Sequence, residues 1–181
     1  MIATDNGPDA DAPGELNLIR QGKHYGFPYH FSNWTRKPYA YTPDPPPGQQ
    51  FEAPIRNLGP AGGGTVEGPL FTVDAHSSPG AIVFIGDDFP ARYRGGYFFT
   101  RFGNLLEGSR RVGYDLLFAR LSRRPGGVDA RIETVLAPLS RPVDAHLSSK
   151  GKLFILEYSR QHDNRGFAGN LPGRVLELSA R

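Results

Sequence analysis

Short apolar bursts, each closed by a Gly, Pro, Asp or Asn turn signal, recur through the second half of the chain and constrain its fold more than any other feature. Ala81–Ile85, Gly96–Arg101, Tyr114–Leu121 and Ala130–Leu136 form one consecutive set of four. Val143–Leu147, Leu153–Tyr158 and Arg174–Leu178 begin a second set. Bursts of this length are strand-sized and too short for amphipathic helices. Four-stranded antiparallel units repeated in sequence are how propeller blades are built.

Upstream, Met1–Thr4 and Leu16–Ile19 read as two strands flanking an acidic loop, with Glu52–Arg56 a further strand of the same preceding blade. The run Pro43 to Gly48 cannot lie in a central strand, because proline lacks the ladder donor. That run and Gly59–Gly64 read as loops decorating one face. The expectation is an all-β partial β-propeller of about two and a half four-stranded antiparallel blades: residues 1–58 the end of one blade plus loops, 70–139 a full blade, 140–181 the start of the last. An unclosed set of blades exposes edges that invite pairing. The chain is therefore expected to meet missing N-terminal blades or a second chain.

Gly 23 and Pro 17 among 181 residues fit this turn-rich reading. No window approaches the roughly 18 apolar residues of a membrane span, and residues 1–30 carry no signal peptide. The absence of cysteine excludes disulfides and thiolate metal sites. Arginines 92, 94, 101, 110, 111, 120, 123 and 124 are scattered over strand and turn positions and nearly balanced by acids, so they read as a solvated surface, with binding of an anionic cofactor or sugar acid the alternative, and not as a nucleic-acid face.

The stretch Asp5-Asn6-Gly7-Pro8-Asp9-Ala10-Asp11-Ala12-Pro13-Gly14-Glu15-Leu16-Asn17 is the most specific feature, followed by Gly22-Lys23-His24-Tyr25-Gly26-Phe27-Pro28. A strand ends in a tight turn whose carbonyls can converge, and carboxylates follow. Ca²⁺ takes six to eight such oxygens, so the loop is either a calcium site or an Asx-turn loop with solvated acids. Of five histidines, His24, His30, His146 and His162 read as ordinary polar residues. His76 precedes an inner strand and is the candidate substrate or face residue, while Asp74 and Asp144 either orient ligands or cap turns.

These two segments resemble the signature of the soluble, pyrroloquinoline-quinone (PQQ) dependent glucose/sorbosone dehydrogenases, six-bladed propellers. His76-Ser77-Ser78-Pro79-Gly80, Phe89-Pro90 through Tyr97-Phe98-Phe99, and Arg141-Pro142-Val143-Asp144 followed by Gly151-Lys152-Leu153-Phe154-Ile155 resemble later landmarks in the same order. The resemblance implies that the carbonyls of Gly7 and Pro8 bind the calcium that grips PQQ, that Asn6 lies near the quinone, and that Glu15 and Tyr25 ligate a second, structural calcium. It places Arg141 where an arginine meets the cofactor. A second arginine of that motif is Val143 here, and of the residues after the Tyr97–Phe99 strand only Arg101 could supply the missing cation.

The implied activity is oxidation of a small aldose-type sugar, with calcium as Lewis acid, a histidine general base and hydride transfer to PQQ. The base belongs to blades upstream of Met1, so this C-terminal part is not expected to be competent alone. By the same resemblance the location is periplasmic or secreted. The alternatives are a propeller-type carbohydrate- or protein-binding module without redox activity, or a truncated reading frame with none.

Overall fold

The computed structural model describes residues 1–104, 111–159 and 172–179. Arg110 and His162 lie outside them. Among the described residues ten strands follow one another, with a single 3-10 turn at Ala91–Tyr93. β1 (Ile2–Asp5) and β2 (Glu15–Leu18) form an antiparallel pair. β3 (Arg56–Pro60), β4 (Pro79–Phe84), β5 (Tyr97–Arg101), β6 (Asp115–Arg124) and β7 (Gly127–Leu136) form a five-stranded sheet in the order β3-β7-β6-β5-β4. β8 (Pro142–Leu147), β9 (Lys152–Ser159) and β10 (Pro172–Ser179) form the last sheet. Successive antiparallel sheets of this kind constitute a partial β-propeller.

The sequence of β6 explains why the middle sheet sits between the others. Successive residues point to opposite faces, and Leu116, Leu117, Phe118 and Ala119 are all buried. A strand covered on both sides reads as a continuous apolar run rather than an alternating one. Leu116 and Phe118 join Phe98, Ile85 and Leu139 in a core shared with Leu153 and Ile155 of β9. Leu117 and Ala119 face the other way, toward Leu16, Ile55 and Val73. Phe98 packs edge-on against Tyr93 and Phe118 at 4.9 and 5.6 Å, a preferred aromatic geometry. Gly96 makes this possible, because a Cβ there would lie 2.3 Å from the Phe118 ring.

The further strand lies at Arg56–Pro60, not Glu52–Arg56, and it belongs to the middle sheet, not to the preceding blade. It pairs in parallel with the outer strand β7. Arg56 holds it there by a bidentate bond to Asp129, at 2.7 and 2.8 Å, and Asn57 pins the Gly-Pro bulge by accepting from the Gly59 amide at 2.7 Å. Proline is admitted because the strand is an edge. Among the described residues no helix is long and apolar enough to cross a membrane.

Candidate functional site at one rim of the sheets

Antiparallel register sets the positions of the candidate residues. Asp5 ends β1 opposite Glu15, which starts β2; Arg101 ends β5 opposite Pro79, which starts β4, and opposite Asp115, which starts β6. His76 lies just before β4 and Arg141 just before β8. The Asn6–Gly14 loop is tied to the same edge by a hydrogen bond from Thr4 Oγ1 to the Gly80 carbonyl at 2.6 Å and by close packing of Gly14 on Pro79. Asn6, Gly7, Pro8, Glu15, His76, Arg101 and Arg141 therefore share one rim.

Within the loop Asn6 is exposed, Gly7 is seated where a Cβ would lie 2.9 Å from the Pro13 carbonyl oxygen, and the Pro8 carbonyl accepts the Ala10 amide at 2.8 Å. His76 Nε2 meets Asp11 Oδ1 at 2.7 Å, while its Nδ1 is buried with no hydrogen-bond partner and lies 3.9 Å from Asp9 Oδ1. The histidine thus joins the acidic loop to the entrance of β4.

Glu15 is 4% exposed, an unusual position for a carboxylate. Its two oxygens accept from the Ser32 amide at 2.5 Å and from Asn17 Nδ2 at 2.8 Å. Burial pushes the Glu15 carboxyl from 4.5 up to about 7, against the pull of those two bonds and with a further push from the Asp5 charge. Beside it, Asn17 Oδ1 is buried without a hydrogen-bond partner. Asn17 meets the carboxylate through its Nδ2 donor, which leaves its desolvated Oδ1 as a second oxygen beside the site that a hard cation could use. Among the described residues no three His, Asp or Glu side chains cluster as a metal site; a calcium site drawing on amide and carbonyl oxygens does not need them. The Tyr25 hydroxyl lies at the opposite end of β2, donating to the Leu18 carbonyl at 2.9 Å and accepting from the Arg20 amide at 2.6 Å. Phe27 is 72% exposed, and its ring meets Phe31 edge-on.

The two arginines are already engaged. Arg101 places Nε and Nη2 on the two oxygens of Asp115, at 2.9 and 2.7 Å, and Nη1 on Asp74 at 2.9 Å. Burial opposes its charge, and the two carboxylates overcome that and hold the guanidinium protonated even more firmly than usual. Arg141, 1% exposed and at φ 57°, lies over the Phe102 and Tyr114 rings at 5.1 and 5.3 Å and donates to the Asn104 carbonyl at 3.3 Å. Its backbone is fixed by Glu157, which accepts the Ser140 amide at 2.6 Å, and by the Tyr158 amide, which donates to the Arg141 carbonyl at 2.9 Å. Asp115 and Glu157 escaped sequence reasoning. The strand-first position of Asp115, opposite Arg101, was the available signal.

No protein-family model and no curated protein sequence matches the chain. A solved structure does: an oxidoreductase described as a glucose dehydrogenase, from Thermus thermophilus, matches at a TM-score of 0.55 and 21% identity over 97% of this chain. The chain shares the fold of part of that protein. It spans 40% of that protein's length, and at this identity the likeness concerns the fold alone.

Proposed function

We propose that this chain is the C-terminal part of a propeller-type sugar oxidoreductase, a quinoprotein that oxidises an aldose-type sugar, and that it contributes a calcium-holding loop to the rim where substrate binds. The observation that carries the reading is the buried Glu15 carboxyl beside the orphaned Asn17 oxygen, on the same rim as the Gly7-Pro8 turn. Glu15 and Asn17 would supply side-chain oxygens and Gly7 and Pro8 carbonyl oxygens. A calcium ion held there supplies Lewis-acid charge at the rim. His76, buttressed by Asp11, faces the same edge as a sugar-contacting residue.

The fit to PQQ is poorer. That cofactor is a tricarboxylate and calls for guanidinium forks directed at it. Arg101 spends its donors on Asp115 and Asp74, and Arg141 is committed to Phe102, Tyr114 and Asn104. The quinone's contacts, like the general base, would have to come from blades outside the chain. The engagement of both arginines favours a second reading, in which the scaffold binds a carbohydrate or protein without redox chemistry.

The remaining blades would also cover a sheet face whose large apolar side chains are exposed among the described residues. Phe154, Leu156 and Tyr158 alternate along one side of β9, and Val175 lies opposite Leu156 on β10, at 62% exposure.

Dye reduction by the complete propeller, supplied with PQQ and Ca²⁺ and offered aldoses, separates the readings. Sugar-dependent reduction that needs both additions is expected. Sugar binding without reduction would replace the dehydrogenase reading with the second one, and neither would overturn both.

A further inference from the structure

The opposite end of the sheets holds a cleft. β2 leaves its sheet at Leu18, the chain returns at Glu52–Ile55, and the β6–β7 hairpin closes the third side with Arg123 to Val128. The cleft is an open groove of about 660 Å³ that narrows to a pocket of about 50 Å³ against Ile55. Leu18 and Val128 give the groove an apolar floor, and Ile55 lies at the bottom of its narrow part.

Its walls are basic and short of counter-charge. Arg20 and Lys23 share the single carboxylate of Glu52, at 3.5 and 3.0 Å. Arg56 and Arg124 share Asp129, at 2.7 and 2.9 Å. Arg123, on the cleft wall, has no ion-pair partner among the described residues. Of the lining charges, Arg20, Arg123 and Arg124 thus face the single carboxylate of Glu52, while Lys23, Arg56 and Asp129 are the ion-pair partners behind them. Asp129 is held well below the usual carboxylate range, first by the Arg56 hydrogen bond and then, against burial, by Arg124. It stays charged, and the excess persists at any physiological pH.

We propose that this cleft binds an amphiphilic oxyanion, a phosphate or carboxylate group carried on an apolar body. Arginine forks match either group in two-pronged geometry, and the apolar floor accepts the body. A nucleic acid is disfavoured because no lining residue is aromatic and none could stack a base. Arg124 lies across the hairpin glycine, with Nη2 2.9 Å from where a Gly127 Cβ would be, so the hairpin leaves room for the guanidinium at the mouth. The site is at the far end of the strands from the calcium loop and does not depend on the reading of that rim.

The test is calorimetric titration of the full chain at low ionic strength with hexyl phosphate, hexanoate, inorganic phosphate and hexanol. Hexyl phosphate or hexanoate should saturate one site, and the better of them should bind about tenfold more tightly than inorganic phosphate, with hexanol silent. Their order identifies the oxyanion. R20A/R123A should weaken binding by about tenfold or more, whereas R36A, on a loop away from the cleft, should not change it. Both arginines are exposed, and far-UV circular dichroism checks that the double variant keeps its sheets. Failure of both hexyl anions to bind, equal binding of hexanol, or an unchanged affinity in R20A/R123A would overturn the proposal.

Discussion

Arg101 bridges two carboxylates at the rim, taking both oxygens of Asp115 at 2.9 and 2.7 Å and one oxygen of Asp74 at 2.9 Å. Its side chain and that of Asp115 are each 7% exposed, so this is a buried ion pair in which neither member has water to fall back on. Removing one partner of such a pair costs about 3–5 kcal/mol, because a desolvated charge is left behind. Arg101→Ala should lower unfolding free energy by about that amount in a urea titration. Arg101→Lys keeps the charge but loses the fork, and should fall between the two. A loss under about 1 kcal/mol for Arg101→Ala would show that the triad is solvated.

The Glu15 carboxyl gives the fold a pH dependence of defined sign. Its folded value is about 7 against 4.5 unfolded, so the folded state holds the proton more tightly. Its favourable contribution is fully present below pH 4.5 and is lost as pH rises to about 7, a change of roughly 3 kcal/mol. In calcium-free buffer, urea midpoints of the parent should fall across this window relative to those of Glu15→Gln. Parallel pH profiles for the two proteins would contradict the assignment.

The exposed face of the last sheet should govern association. Leu156, Tyr158 and Val175 are 43, 46 and 62% exposed and adjacent. An apolar sheet face of this kind is where another blade packs. Leu156→Lys with Val175→Glu should reduce self-association in sedimentation, with less than about 1 kcal/mol change in the stability of the chain itself. Undiminished association would place the contact elsewhere.

Much of the fold was readable because the short apolar bursts and their turn signals are local. The four strands of the middle blade and the three after it appear within a few residues of their expected bounds. β3 was not readable in the same way. Arg56-Asn57-Leu58-Gly59-Pro60 carries a glycine and a proline, and its strand character comes from β7, far along the chain, through Arg56 and Asp129. The rim was legible to the extent that strand ends were: placing Glu15, His76, Arg101 and Arg141 at strand starts and stops puts them on one edge. The state of the arginines was not, because Arg101 meets Asp115 only in the β5–β6 register observed, and a one-residue slip would turn Asp115 to the other face.

Calorimetric titration of calcium chloride into the full chain at pH 8 tests the calcium assignment most directly. At that pH Glu15 is ionised and the Asn17 oxygen beside it lacks a partner. One calcium should bind saturably, with affinity weakened at least about tenfold at pH 5.5, where the carboxyl holds its proton, and with binding abolished in Glu15→Gln. Absence of calcium-dependent heat at pH 8, or binding that Glu15→Gln leaves intact, would contradict the assignment of this rim as a calcium site.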